Sequence, residues 1–94
     1  MITEAELATL ADAAIIHLAA DPELMSALMG ASGLDPAQLR QAAERPELAS
    51  ALLDFLCETD QRLFDFARSA GIRAERIAYA RAALEAGQVG IHPR

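Results

Sequence analysis

The residues best placed for chemistry lie near the end of the chain. Phe66, Ala67, Gly71, Ile72 and Ile77 occupy the apolar, small and glycine positions of a helix-turn-helix motif. On that register Arg73, Arg76 and Tyr79 face outward from the second helix, where such motifs meet base edges and phosphates. Two facts weigh against DNA. Glu75 shares that face and would meet phosphate as a like charge. Gly71 and the two isoleucines are equally accounted for as a helix stop and a hydrophobic staple.

Other chemistry finds weaker support. His17, His92 and Cys57 show no paired ligand spacing, so neither a metal nor another cofactor is expected. His17 reads as a partly buried structural residue and Cys57 as a small apolar filler. Asp54, Glu58 and Asp65 are the carboxylates one would gather for acid–base work. Asp54 and Glu58 stand four residues apart on an outer helical face, which describes a solvated acidic stripe. Gly30 and Gly33 are not followed by the lysine of a phosphate loop. With no nucleophile beside a base, the chain is expected not to be an enzyme.

A different kind of site is suggested by apolar residues that fall off the main inward stripes. Ile16, Met25, Met29, Leu53 and Phe64 are of this kind. Such residues either complete a core between packed helices or form an exposed patch that a partner covers. Met25, Met29, Leu53 and Phe64 are therefore the candidate interaction surface, for another protein or, as a homodimer, for a second copy. The basic corner of Arg73, Arg76 and Tyr79 is the second candidate, through a DNA-binding module of helices 5 and 6.

Composition frames these alternatives. The chain has 94 residues, which suffices for one small domain. It is 53% hydrophobic but only 4% aromatic, without tryptophan. Strong helix formers dominate and β-branched residues are few, so the fold class is all-α. The net charge is −6 and every one of the eight basic residues is arginine. Residues 1–59 carry ten acids and two arginines, a charge of −8; residues 60–94 carry four acids and six arginines, a charge of +2. An acidic chain suits a polyanion poorly, so nucleic acid ranks below protein as a partner. A single cysteine cannot form an internal disulfide, which points to a reducing cytoplasm. The start of the chain lacks the basic and apolar regions of a signal peptide, and no apolar run is long enough to span a bilayer.

The elements that would position these residues are announced by helix-start signals. Thr3 and Glu6 spell a capping box, with Ile2 and Leu7 as its staple. Helix 1 is expected over about residues 4–19. Asp21 and Pro22 start helix 2, which Gly33 ends. Asp35, Pro36 and Gln38 start a short helix 3, expected to end near Glu44. Pro46 opens helix 4, Thr59 or Asp60 caps helix 5, and helix 6 covers about residues 74–86. The remainder, residues 88–94, is read as a loose tail beyond one helical domain over 1–87. Two segments recur, Pro22–Met29 at Pro46–Leu53 and Ala31–Leu39 at Ser69–Ile77. Their spacings differ, so they are shared capping grammar and not a solenoid.

Four words of the sequence, taken in order, carry a family likeness. They are Asp21, Pro22, Glu23, Leu24; Gly33, Leu34, Asp35, Pro36; Leu53, Asp54, Phe55, Leu56; and the run from Leu63 to Gly71. Through them the chain resembles a family of small bacterial proteins, mainly proteobacterial, known as a domain of unknown function. The resemblance implies a compact helical domain and brings no catalytic residue, cofactor or partner. Together the residues predict an irregular orthogonal bundle of five to six short helices. Its core is expected from Leu7, Leu10, Leu18, Leu24, Leu28, Leu34, Leu39, Leu52, Phe55, Leu56, Leu63, Phe66, Ile77 and Leu84.

Overall fold

Five of the six helix starts rest on a local signal, and the last is the exception, since Arg73 at its N-cap makes no side-chain cap hydrogen bond. The computed structural model describes residues 2–87 and the backbone of 89 and 90. The order is β1 (Ile2–Thr3), α1 (Glu4–Ala19), α2 (Pro22–Ser32), α3 (Pro36–Arg40), α4 (Pro46–Leu56), α5 (Asp60–Ala70), α6 (Ala74–Glu85) and β2 (Val89–Gly90). At α1 the capping box is complete. The Glu6 amide donates to Thr3 Oγ1 and the Thr3 amide donates to Glu6 Oε1, each at 3.0 Å. Asp35 and Gln38 repeat the arrangement at α3. The Asp21 carboxylate accepts from the Leu24 amide, and Thr59, not Asp60, caps α5 by accepting from the Arg62 amide. Gly33 and Gly71 end α2 and α5 at φ of 75° and 69°, a left-handed conformation that glycine adopts without steric cost.

Helix α3 stops four residues short of its expected end. Beyond Arg40 the amides of Gln41, Ala42 and Glu44 donate to carbonyls three residues back. The chain thus tightens into successive turns and cannot propagate an α-helix.

The core is built around α4. Leu48, Ala49, Leu52, Leu53, Phe55 and Leu56 are all buried there. Helix α4 packs on α1, α2, α5 and α6. From these neighbours come Leu7, Leu10, Ala11, Ala14 and Leu18 of α1, Leu28 of α2, Phe66 of α5, and Ile77, Ala80 and Ala83 of α6. Of the expected core, Leu24, Leu34, Leu63 and Leu84 are only half-buried against it, at the margins of the bundle. One surface assignment is corrected. Leu53 is 1% exposed and belongs to the core, because α4 is covered on more than one side and has two inward faces.

The two ends of the described chain meet. Val89 and Gly90 run parallel to Ile2 and Thr3, in a two-residue pairing. Of the tail expected over 88–94, residues 88 and 91–94 lie outside the described residues. No helix among the described residues is long and apolar enough to cross a membrane.

The phenylalanines of α5 separate core from surface. Phe66 is fully buried and Phe64 is 53% exposed. Phe66→Ala is expected to cost about 3–5 kcal/mol of unfolding free energy, and Phe64→Ala about 0.5 kcal/mol or less. Urea denaturation of both variants measures the difference.

Candidate functional site

Helices α1 and α6 both lean on α4 and α5 but hardly touch each other. Between them runs a groove of about 400 Å³. Its α1 wall comes from Ala5, Glu6, Thr9 and Leu10, and its α6 side from Ile72, Arg76, Tyr79 and Ala80, with Ile2 of β1 at one end. Ala5, Glu6, Thr9 and Leu10 share one face of α1, Arg76, Tyr79 and Ala80 one face of α6, and Ile72 lies in the connection just before α6. The floor is apolar: Ile2, Leu10 and Ala80 are buried and Ile72 is half-buried. The rim is exposed and carries Ala5, Glu6, Thr9, Arg76 and Tyr79.

One ion pair spans the groove. Arg76 Nη2 donates to Glu6 Oε2 at 3.0 Å, tying α6 to the first turn of α1. Glu6 therefore serves two partners, since its other oxygen accepts from the Thr3 amide. The Thr3 hydrogen bond, and after it Arg76, hold the Glu6 carboxyl below the usual carboxylate range. Along α1 the stripe of Ala5 and Thr9 continues through Asp12 to Ile16, which is 70% exposed.

The basic corner predicted from sequence is divided by the structure. Arg76 and Tyr79 line the groove; Arg73 does not, and it faces Glu75 at 3.7 Å on the surface. The candidate interaction surface is also dispersed. Met25 and Met29 are half-buried against the core from α2, Leu53 is interior, and Phe64 stands exposed on α5. The residues that sequence reasoning missed are Ala5, Glu6, Thr9 and Ile72. Ala5 and Thr9 are unremarkable on α1, Glu6 and Ile72 stand out only as capping and staple residues, and only the placement of α1 beside α6 brings the four together.

The remaining reactive groups have other occupations. Asp54 accepts from Arg81 Nε at 2.8 Å, Glu58 pairs with Arg62, and Asp65 accepts from Gln61. The three carboxylates thus answer three different partners. Arg62 also lies over the Phe55 ring, 4.1 Å from its centroid. His17 packs its ring on Phe66 at 5.4 Å. Burial pushes the half-buried Cys57 thiol up, Asp54 adds to this, and Arg81 opposes it. A thiol held in that form is a poor nucleophile. Among the described residues no three His, Cys, Asp or Glu side chains are grouped to hold a metal ion.

The dual bonding of Glu6 makes the groove sensitive to acid. A lowered folded-state value means that Glu6 stabilises the fold fully above the ordinary carboxylate range. That contribution is lost as pH falls through the lowered value. Glu6→Gln keeps an acceptor for the Thr3 amide, as Gln38 does for Asp35, but removes the charge facing Arg76. The variant is expected to lose little stability at neutral pH and to show a shallower decline toward about pH 3. Urea denaturation across that range tests this; parallel profiles for the two proteins would contradict it.

Comparison with known proteins adds a family. No curated protein and no solved structure matches the chain. A family model matches residues 4–87, which takes in all six helices, and the chain belongs to the family described as "Protein of unknown function (DUF3572)".

Proposed function

We propose that this chain is a non-catalytic, cytoplasmic protein-interaction domain that binds its partner through the α1–α6 groove. The observation that carries the reading is the groove itself, an apolar floor under an exposed polar rim. Interfaces have this anatomy, with a desolvated centre and a wet margin. The rim offers Tyr79 and Arg76, two residue types enriched where binding energy concentrates. Catalysis has less to support it, because Asp54, Glu58 and Asp65 each already have their own arginine or glutamine partner and burial pushes the Cys57 thiol up.

The alternative, DNA binding by α5 and α6, is weakened by how the arginines are spent. Arg45, Arg62, Arg68, Arg73, Arg76 and Arg81 each face a carboxylate within the chain. Phosphate would have to compete for every one of them, on a chain of net charge −6. Duplex DNA at low salt is expected to show no binding. Salt-sensitive binding that disappears in Arg73→Ala/Arg76→Ala would favour the DNA reading instead.

The interaction reading is tested by photo-crosslinking in the native cell. A benzophenone amino acid replaces Thr9 or Tyr79 on the rim, or Ala31 on α2 as a control. Positions 9 and 79 are expected to capture one discrete protein that position 31 does not. Identical products from all three positions, or none from the rim, would reject the groove as the binding surface.

A further inference from the structure

Building on the groove reading, we infer that its occupant is a basic amphipathic helix contributed by a different protein. Peptide recognition follows a few physical modes, and the groove excludes most of them. Strand addition needs a long free sheet edge, and β1 is two residues long. Proline-rich ligands need a row of aromatic side chains, and Tyr79 is the one aromatic residue lining this groove. Phosphate-bearing motifs need an arginine cluster, and the arginines here face carboxylates. A helix laid between two helices remains. Within α1 the lining from Ala5 to Leu10 rises about 7.5 Å and within α6 that from Arg76 to Ala80 about 6 Å, at 1.5 Å per residue, and Ile2 and Ile72 extend the two walls beyond the helix starts. An occupant with apolar anchors at i, i+3 or i+4, and i+7 needs about 10.5 Å. Ile16, further along the α1 stripe, extends that apolar track by about two turns.

Charge selects the sign of the partner. The side chains of Glu4, Asp12, Glu23, Glu44 and Asp60 make no ion pair or hydrogen bond among the described residues, and Arg40 is the one described arginine whose side chain is in that state. The surface therefore presents unpaired negative charge. Of these, Asp12 lies just beyond the groove lining, about one turn past Thr9 and before Ile16 on the same exposed α1 stripe. A second copy would bring its own −6 to that surface, and like charge opposes the approach. A helix with lysine or arginine flanking its apolar stripe meets Asp12 with opposite charge while its stripe covers Ile72, Tyr79 and Ile16.

The test uses three labelled synthetic peptides, each about 18 residues and long enough to form a helix. One is a leucine–lysine amphipathic sequence, one its leucine–glutamate counterpart, and one a scrambled leucine–lysine sequence without a stripe. Binding is read by fluorescence anisotropy and located by NMR amide shifts on the full chain. The basic amphipathic peptide is expected to bind about tenfold or more tightly than either control, with affinity falling as salt rises. Amide shifts are expected at Ala5, Thr9, Ile16, Ile72 and Tyr79. Asp12→Asn should weaken binding about two- to fivefold, and Thr9→Arg, which places bulk and positive charge on the rim, by about tenfold or more. Equal binding of the basic and acidic peptides, or shifts away from the groove, would overturn the inference. So would self-association by sedimentation with shifts in the same groove, which assigns it to a second copy. A discrete protein captured through position 79 in cells, with no preference among the peptides, would remove the basic helix while leaving the interaction reading in place.

Discussion

The burial of α4 is the constraint on which the rest of the molecule depends. A short helix in a small domain normally turns one face inward, and this one is covered by α1, α2, α5 and α6. Leu52 and Leu56 face the same interior as Leu53, so polar residues are confined to a narrow strip that carries Asp54. Helices α1 and α6 find their main support on α4 and on α5. Nothing then requires them to meet, and the space left between them is the groove. The Arg76–Glu6 pair spans that space at its rim, where solvent weakens it, so it ties the walls without closing them.

Electrostatics give this shape its direction. Most described arginines are matched with carboxylates of the same chain, several at close sequence spacing. What the described surface leaves without an internal counter-ion is accordingly a surplus of acids. Under the proposed reading, an apolar trough on an acidic chain would discriminate among partners by charge as well as by shape.

Much of the fold is legible in the sequence because its signals are local. Thr3 with Glu6, Asp35 with Gln38, and Gly33 and Gly71 act within a turn of their own position, and they place the helix ends wherever the helices later pack. Helix α3 shows the limit. Its start is local, but its length depends on whether α-helical bonding can continue past Arg40, and it tightens instead. Leu53 shows a second limit. A single-stripe reading puts it outside, and only the neighbours on both sides of α4 make that side interior. The groove was half-visible. Arg76 and Tyr79 stand out as a basic, outward pair on α6, whereas Ala5 and Thr9 carry no signal at all. The partner that redefines Arg76 is Glu6, seventy residues away in sequence. That contact exists because the bundle brings the start of α1 beside α6, which no short-range pattern encodes.

The central claim is that α4 is the common support of both groove walls. Native-state amide hydrogen exchange addresses it most directly. The amides of Leu52 to Leu56 are predicted to exchange only through global unfolding, with a free energy equal to that from urea denaturation. Those of α1 and α6 along the groove should open at equal or lower free energy. Amides of α4 that open more easily than those of α1 and α6 would contradict the account, since the walls would then stand without their support.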